Sequence, residues 1–381
     1  MKWPRCPFTV LLAAVFLATA CDSAEDQLKG SDFAVLTQHA DAYQQAKPGQ
    51  ALSFPRDHGP HPGYRIEWWY LTANLSDAVG NPYGAQWTLF RLAVEPPGTV
   101  EPGSNWQQDQ VFMAHMAITT PDDHVSFQRY TRGAADLSLA RAGVEAQPFS
   151  ACLDDWTLQS TGTNWLPMEV QARQDEYAIH LQLQSDAPPI LQGVAGFSQK
   201  HSDGGGSFYY SQPFLRANGE LTVAGQTIPV SGEAWLDREW GSQFLQADQV
   251  GWDWFSLHLD SGEKLLLFRL RQQTEISPGD NFLHGSLIAA DGSTTPLDPE
   301  QIQLKVLRET VVMGHTLPVQ WQIELPQIGR QFVVEALHPD QWMEVDFPYW
   351  EGAVTVSGNG SENRGRGYME LTGYPLETQG P

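Results

Sequence analysis

Residues 232–255 read GEAWLDREWGSQFLQADQVGWDWF and set four tryptophans (Trp235, Trp240, Trp252, Trp254) among Asp237, Arg238, Glu239 and Asp253. A charge beside an indole is costly to bury unless it is paired or hydrogen-bonded, so a stretch rich in both lines something. Two readings follow: a ligand site walled by aromatics, or an ion-pair knot that indoles cover where two units of structure meet. Strand alternation puts Trp235 and Asp237 on one face and Arg238 on the other.

Outward from this stretch the texture is uniform. RIEWWYLTANL, AQWTLFRLAV, VFMAHMAIT, YAIHLQLQ, KLLLFRLR, VQWQIEL and GAVTVSG are strand-length runs with a period near two, and turns such as Asp260-Ser261-Gly262 punctuate them. Long helical periodicity is absent, so the chain is expected to be all-β, built of antiparallel sheets or barrels. An internal repeat divides it. Trp68-Trp69-Tyr70, Leu75 and Leu89-Phe90-Arg91-Leu92 are echoed by Trp252-Asp253-Trp254, Leu259 and Leu267-Phe268-Arg269-Leu270. Gly232 to Asp237 likewise lies against Gly365 to Glu370, which puts Trp235 opposite Tyr368. Tandem barrel-like units over residues 51–245 and 246–381 follow, and a ligand is expected inside a barrel, where one strand face looks.

Length and charge bound the rest. A chain of 381 residues is long enough for two domains, and 22 basic against 45 acidic residues give a net charge of −23. Such a field repels nucleic acid and anionic membrane surfaces. Residues 1–20 read as an export signal, with Lys2 and Arg5 before an apolar run over 8–18. Ala18-Thr19-Ala20-Cys21 resembles a bacterial lipobox, so Cys21 is the expected lipid-carrying N-terminus of a periplasm-facing lipoprotein. Asp22 after it points to retention at the inner membrane; an outer-membrane lipoprotein or a secreted protein are the alternatives. Residues 21–50 are polar and read as a tether, with one short helix within 32–46. Cys6 and Cys21 lie in or at the leader, which leaves Cys152 as a lone buried thiol with no activating signature.

Taken together, Glu67-Trp68-Trp69-Tyr70, His115 in MAHMAI, Tyr209-Tyr210-Ser211, Trp235-Leu236-Asp237-Arg238-Glu239-Trp240-Gly241, Tyr349-Trp350-Glu351-Gly352 and Gly367-Tyr368-Met369-Glu370 resemble the AttH-like branch of the carotenoid 1,2-hydratase (hydroxyneurosporene synthase) family. The resemblance implies two tandem lipocalin-like antiparallel β-barrels. It also implies a cofactor-independent activity, since the hydratases add water to an isolated terminal double bond of an acyclic carotenoid. Fungal relatives act as Diels-Alder cyclases, so the fold carries more than one chemistry. The family's Tyr-x-Asp arrangement looks like Trp235 and Asp237, and its His-x-Trp pair falls approximately on Phe208 and Tyr210. Many AttH-like proteins are labelled secreted hydrolases, yet no Gly-x-Ser-x-Gly elbow occurs here. The AttH name comes from gene clusters with ABC-transporter components, which makes such a transporter a possible partner.

Hydrating an unactivated alkene requires an acid that stays neutral until substrate arrives. Burial against aromatic rings raises a carboxyl pKa, which suits Asp237 or Glu67. Asp237, Glu67, Trp235 and Tyr210 are the expected catalytic residues, and Trp68, His115, Phe208, Trp252, Trp254 and Tyr368 the expected ligand contacts. For each a structural role stands beside the functional one: a salt bridge for Glu67, a satisfied core imidazole for His115, packing for Tyr368. His58, His61 and Asp57 lie in a proline-bound loop without a third fixed donor, so no metal site is expected. Two functions therefore compete: an acid-initiated hydratase or isomerase of a polyene or terpenoid, and a non-catalytic carrier of a hydrophobic ligand.

Overall fold

The computed structural model describes residues 40–94, 96, 110–132, 141–201, 203–243, 245–246, 248–273 and 282–377. The expected export signal and Cys21 lie outside these residues. Of the short helix read within 32–46, the described part holds one 3-10 turn, Ala40–Ala42. The end of the expected tether is packed: Tyr43 and Ala46 are buried, Ala46 against Tyr64 and Phe208, and the Ser242 hydroxyl donates to the Gln44 carbonyl at 2.6 Å. Packing on the first unit thus already includes Tyr43 and Ala46.

The first sheet holds β1 (Ile66–Ser76), β2 (Pro82–Ala93), β3 (Gln110–Thr119), β4 (His124–Arg132), β5 (Ala142–Ala146), β6 (Phe149–Leu153) and β7 (Trp156–Ser160). It continues with β8 (Met168–Gln174), β9 (Tyr177–Gln184), β10 (Ile190–Leu191), β11 (Phe197–Gln199), β12 (Gly206–Val223) and β13 (Gln226–Gly241). Its order is β4-β3-β2-β1-β13-β12-β9-β8-β7-β6-β5, with β10 and β11 on β12. β6 packs back on β2, β3 and β4, so the sheet curls into a nearly closed barrel.

The second sheet holds β14 (Gln249–Leu259), β15 (Lys264–Gln272), β16 (Phe282–Ile288), β17 (Thr294–Leu297) and β18 (Gln303–Val312). Then come β19 (His315–Leu325), β20 (Arg330–Ala336), β21 (Trp342–Met343), β22 (Tyr349–Gly358) and β23 (Gly365–Leu371). Its order, β17-β16-β15-β14-β23-β22-β20-β19-β18 with β21 on β22, makes a half-barrel. The chain is thus all-β, two lipocalin-like barrels in tandem, and it passes from one sheet to the other between Gly241 and Gln249.

The strand register refines the repeat. Trp68 lies opposite Phe90 and Glu239, whereas Trp254 lies opposite Phe268 and Glu370. Trp68 therefore matches Trp254, two residues on from Trp252. In this register Glu67 and its neighbour Arg91 match Asp253 and Arg269, and Asp237 matches Tyr368. A slip of two keeps every side chain on its face, which is why the sequence pattern survived it.

What fills the barrel decides where a ligand goes. One face of β1, β2, β3 and β13 sends Trp69, Leu71, Trp87, Leu89, Met116 and Leu236 into a closed apolar core. A matching core of Phe255, Leu257, Leu267, Trp321 and Trp350 fills the second unit. Side chains fill both interiors, and a cleft opens between the two sheets instead of inside a barrel, where the sequence had put the ligand. The opposite faces of β1, β13, β14 and β23 meet each other, and Tyr70, Tyr209, Trp235, Trp254, Phe268 and Tyr368 form one apolar cluster across that seam. Polar ties close it at one side: Asn74 Nδ2 donates to the Gly367 carbonyl at 2.8 Å, and Lys264 reaches Glu233 at 2.7 Å. Sandwiched strands are buried on both faces, and β1 and the second half of β13 read almost continuously buried.

Candidate active site in the cleft between the sheets

Between the two sheets lies a cleft with about 1130 Å³ of empty space including its open mouth. Its walls are Trp68, Tyr70, Phe90, Met113, His115, Tyr209, Asp237 and Glu239 from the first unit and Trp252, Trp254, Phe268, Leu270, Tyr349 and Glu370 from the second. Lys200, from the loop after β11, also lines it.

Asp237 sits in the C-terminal half of β13, between β1 and β12, and is 2% exposed. Its Oδ1 accepts from the Ser211 hydroxyl at 2.5 Å and the Trp235 indole at 2.6 Å, and its Oδ2 accepts from the Tyr209 hydroxyl at 2.7 Å. The Trp254 indole of the second unit donates to Tyr209 at 3.3 Å. Burial drives the Asp237 carboxyl up; Ser211, Tyr209 and Trp235 pull it down, and Glu239 pushes it up again, to about 7. Arg238, its neighbour in sequence, points to the opposite face, as alternation requires. The one lysine of the cleft, Lys200, is 2.9 Å from Glu239 and covers the Phe268 ring at 4.1 Å. Asp237 thus has neutral donors around it and no ion-pair partner among the described residues.

Glu67 is a correction. It points into the first barrel, where its carboxylate bonds Arg91 and Arg238 and accepts the His61 backbone N–H at 2.9 Å. Burial pushes it up, but Arg91, Arg238 and His61 hold it well below the usual carboxylate range, so it is a structural counter-ion and no neutral acid. Arg238 lies over the Trp69 ring at 3.8 Å and donates to the Gly59 carbonyl at 2.6 Å. The ion-pair knot foreseen between the units is therefore real but lies within the first one. Asp57 and His61 join it, and His58 bonds the Tyr210 hydroxyl at 2.7 Å while stacking on Trp165.

Tyr210 and Phe208 are corrections too. Both turn away from the cleft, into a cluster with Tyr64, Phe197 and Trp240. The register explains it: Ser211 lies opposite Asp237 and Tyr209 opposite Glu239, so the residues in phase with the acid are one place along. A one-residue error on a strand flips the face. Trp235 is fully buried and supports Asp237 from beneath rather than lining the cleft. Tyr368 belongs to the seam cluster, while Trp68, His115, Trp252 and Trp254 line the cleft directly.

Two groups on the far wall carry more weight than the sequence suggested. Glu370 lines the cleft and accepts from the Trp252 indole at 2.6 Å. Glu351 lies directly opposite it on β22 and is buried, with Tyr70 and Tyr349 beside it. Burial raises both, Asp237 and Glu239 raise Glu370 further, and Glu370 raises Glu351, so the pair holds a proton where separate carboxyls would not. His115 bonds the Tyr349 hydroxyl through Nδ1 at 3.0 Å, and burial lowers its pKa to about 3, which keeps it neutral. Same-face phase with Asp237 identifies Tyr209, Ser211 and Glu239, whereas the pairing of Glu351 with Glu370 is legible only once β22 and β23 are known neighbours.

Fold and site together define a class: a paired lipocalin-like protein that holds protonatable carboxyls in an aromatic cleft between its two units. The sequence profile of the AttH-like family matches residues 45–374, and the chain belongs to that family. The crystal structure of an AttH protein of Nitrosomonas europaea is similar at 33% identity and TM-score 0.74, covering 87% of this chain and all of that one. The kievitone hydratase of Nectria haematococca shares the fold at 16% identity and TM-score 0.62, over 88% of this chain and 96% of its own. No curated protein matches the sequence.

Proposed function

We propose that the cleft carries out acid-initiated hydration or isomerisation of an apolar alkene, with Asp237 as the acid. One observation carries the reading: a buried carboxyl at the wall of an aromatic cavity, hydrogen-bonded only by neutral groups, so that its proton is available near neutral pH. The hydratase activity named for the kievitone enzyme, whose fold the chain shares, is in keeping with it.

In this mechanism Asp237 gives its proton to one alkene carbon, and the other becomes a carbocation. Trp68, Trp252 and Trp254 offer their ring faces to that charge, each contact worth about 0.5–2 kcal/mol. Water adds to the cation and its surplus proton returns to the Asp237 carboxylate, so the net change is addition of water across the double bond. Loss of a neighbouring C–H proton instead gives the isomer. Because the aromatic contribution is modest, positioning within the cleft supplies much of the rest. We further propose, from the leader and Cys21, that the protein is a lipid-anchored lipoprotein facing the periplasm.

The test is to identify the bound ligand by native mass spectrometry, then to incubate that ligand class with wild type and Asp237→Asn in heavy-oxygen water. Wild type should incorporate the label, or deuterium at carbon from D₂O for isomerisation, and the variant should lose at least about 100-fold in rate. Equal turnover removes Asp237 from the mechanism. Binding without product leaves a carrier, the second function the sequence allows.

A further inference from the structure

The carboxyls of the cleft outnumber its cations. Asp237, Glu239 and Glu370 line it, Glu351 stands behind Glu370, and the only lysine or arginine among the described lining residues is Lys200, which Glu239 already engages at 2.9 Å. Glu351 is 1% exposed and its oxygens make no hydrogen bond of good geometry; the only donors beside it are the Tyr70 and Tyr349 phenols, so among the described residues no cation meets it. A second polar atom is left over on the same side. His115 is also 1% exposed, lines the cleft, and has no partner for Nε2. In the tautomer whose Nδ1–H donates to Tyr349, that Nε2 carries a bare lone pair and calls for a donor. Buried polar atoms without partners are rare, and several around one cavity indicate that the partner arrives with the ligand.

We infer that the cleft selects a ligand with an ammonium group on an apolar body, the nitrogen seated on the Glu351–Glu370 pair and the body lying along Trp68, Trp252, Trp254 and Phe268. This deepens the proposed function by naming a substrate class, and it rests on the cleft being the ligand site. An ammonium supplies only donors, which suits two carboxyls and an imidazole lone pair alike. The same aromatic faces attract any cation, through their quadrupoles. A carboxylate headgroup meets acids on both walls, and an alcohol leaves the pair unmatched.

Binding carries a proton signature. Burial and mutual repulsion keep the carboxyls of the pair protonated; when R–NH₃⁺ arrives, one carboxyl O–H releases its proton to solvent and the resulting carboxylate pairs with the cation. The other groups facing the pair are Asp237 and Glu239 from β13, Lys200 beside them, the Tyr70 phenol from β1, the Tyr368 phenol from β23 and the Tyr349 phenol with His115 behind it. The ammonium and the new carboxylate cancel, so Asp237 meets no added net charge and keeps its role as the acid.

The experiment compares three probes with one branched alkene body: geranylamine, geraniol and geranate, titrated calorimetrically into the full chain at pH 7.5 in buffers of different ionisation enthalpy. Geranylamine should bind about tenfold or more tighter than geraniol and geranate most weakly, with proton release for the amine alone. Glu370→Gln, checked for folding by near-UV circular dichroism, should erase the preference for amine while geraniol still binds. Geraniol binding as tightly as geranylamine in wild type, or amine binding without proton release, overturns the inference and leaves the proposed hydration intact. Binding of none of the three overturns both.

Discussion

Asp237 owes its protonated state to a contest that burial wins. Three donors favour the carboxylate, yet none carries charge, and a full charge sealed beneath Trp235, Tyr209 and Trp254 costs more than three neutral hydrogen bonds recover. A carboxyl whose pKa is raised to about 7 is active as an acid below that value, so the rate should fall as pH rises through about 7. Tyr209→Phe removes a donor that favours the charged form; the falling limb of the pH–rate profile should then move to higher pH, and an unmoved limb would sever Tyr209 from the acid. Glu67 is the contrary case, a carboxylate held ionised by two buried arginines. Glu67→Gln leaves Arg91 and Arg238 uncompensated, and a loss of about 3–5 kcal/mol in urea unfolding is expected. Nothing in the sequence distinguished an acid with cations at hand, Glu67, from one without, Asp237. That distinction depends on which face each strand presents and on what lies across it.

At the scale of strands, the cleft is a consequence of β13 and β14 each being covered on both sides. The face carrying Arg238 and Leu236 closes the first barrel, and the face carrying Asp237 is covered by the second sheet. Alternation within the 232–255 stretch was readable in the residues and correctly set Arg238 apart from Asp237. The choice of Phe208 and Tyr210 over Tyr209 and Ser211 failed because phase between two strands is set by their pairing, not by either sequence alone. Close approach of the sheets depends on small residues: a side chain at Gly84 of β2 would begin 2.6 Å from the Tyr368 hydroxyl and 2.8 Å from Ala353 Cβ, both across the seam. Gly84→Val should therefore force the sheets apart, costing about 1–3 kcal/mol in denaturant unfolding and reddening the tryptophan emission as the cleft admits water. Unchanged stability and emission would show the seam to be looser than described.

For the whole molecule, the site lies between two units and neither contains it alone. Each unit filled its own interior with side chains and left an outer face of tryptophans, phenols and acids; joining the two in tandem buried those faces against each other. The repeat and the all-β class were legible because they reside in local periodicity and order. The inter-unit location of the cleft was not, since no local pattern says which face of a strand a second domain will cover. Burial raises the pKa of Asp237 to about 7, and both units supply that burial, so its titration in the intact chain reports on the entire arrangement. The most direct measurement is infrared difference spectroscopy of the full chain with isotope-labelled aspartate, following the protonated-carboxyl band and assigning it by its loss in Asp237→Asn. The account predicts a band present at pH 5.5 that disappears with a midpoint near pH 7. An Asp237 already ionised at pH 5.5 would contradict it.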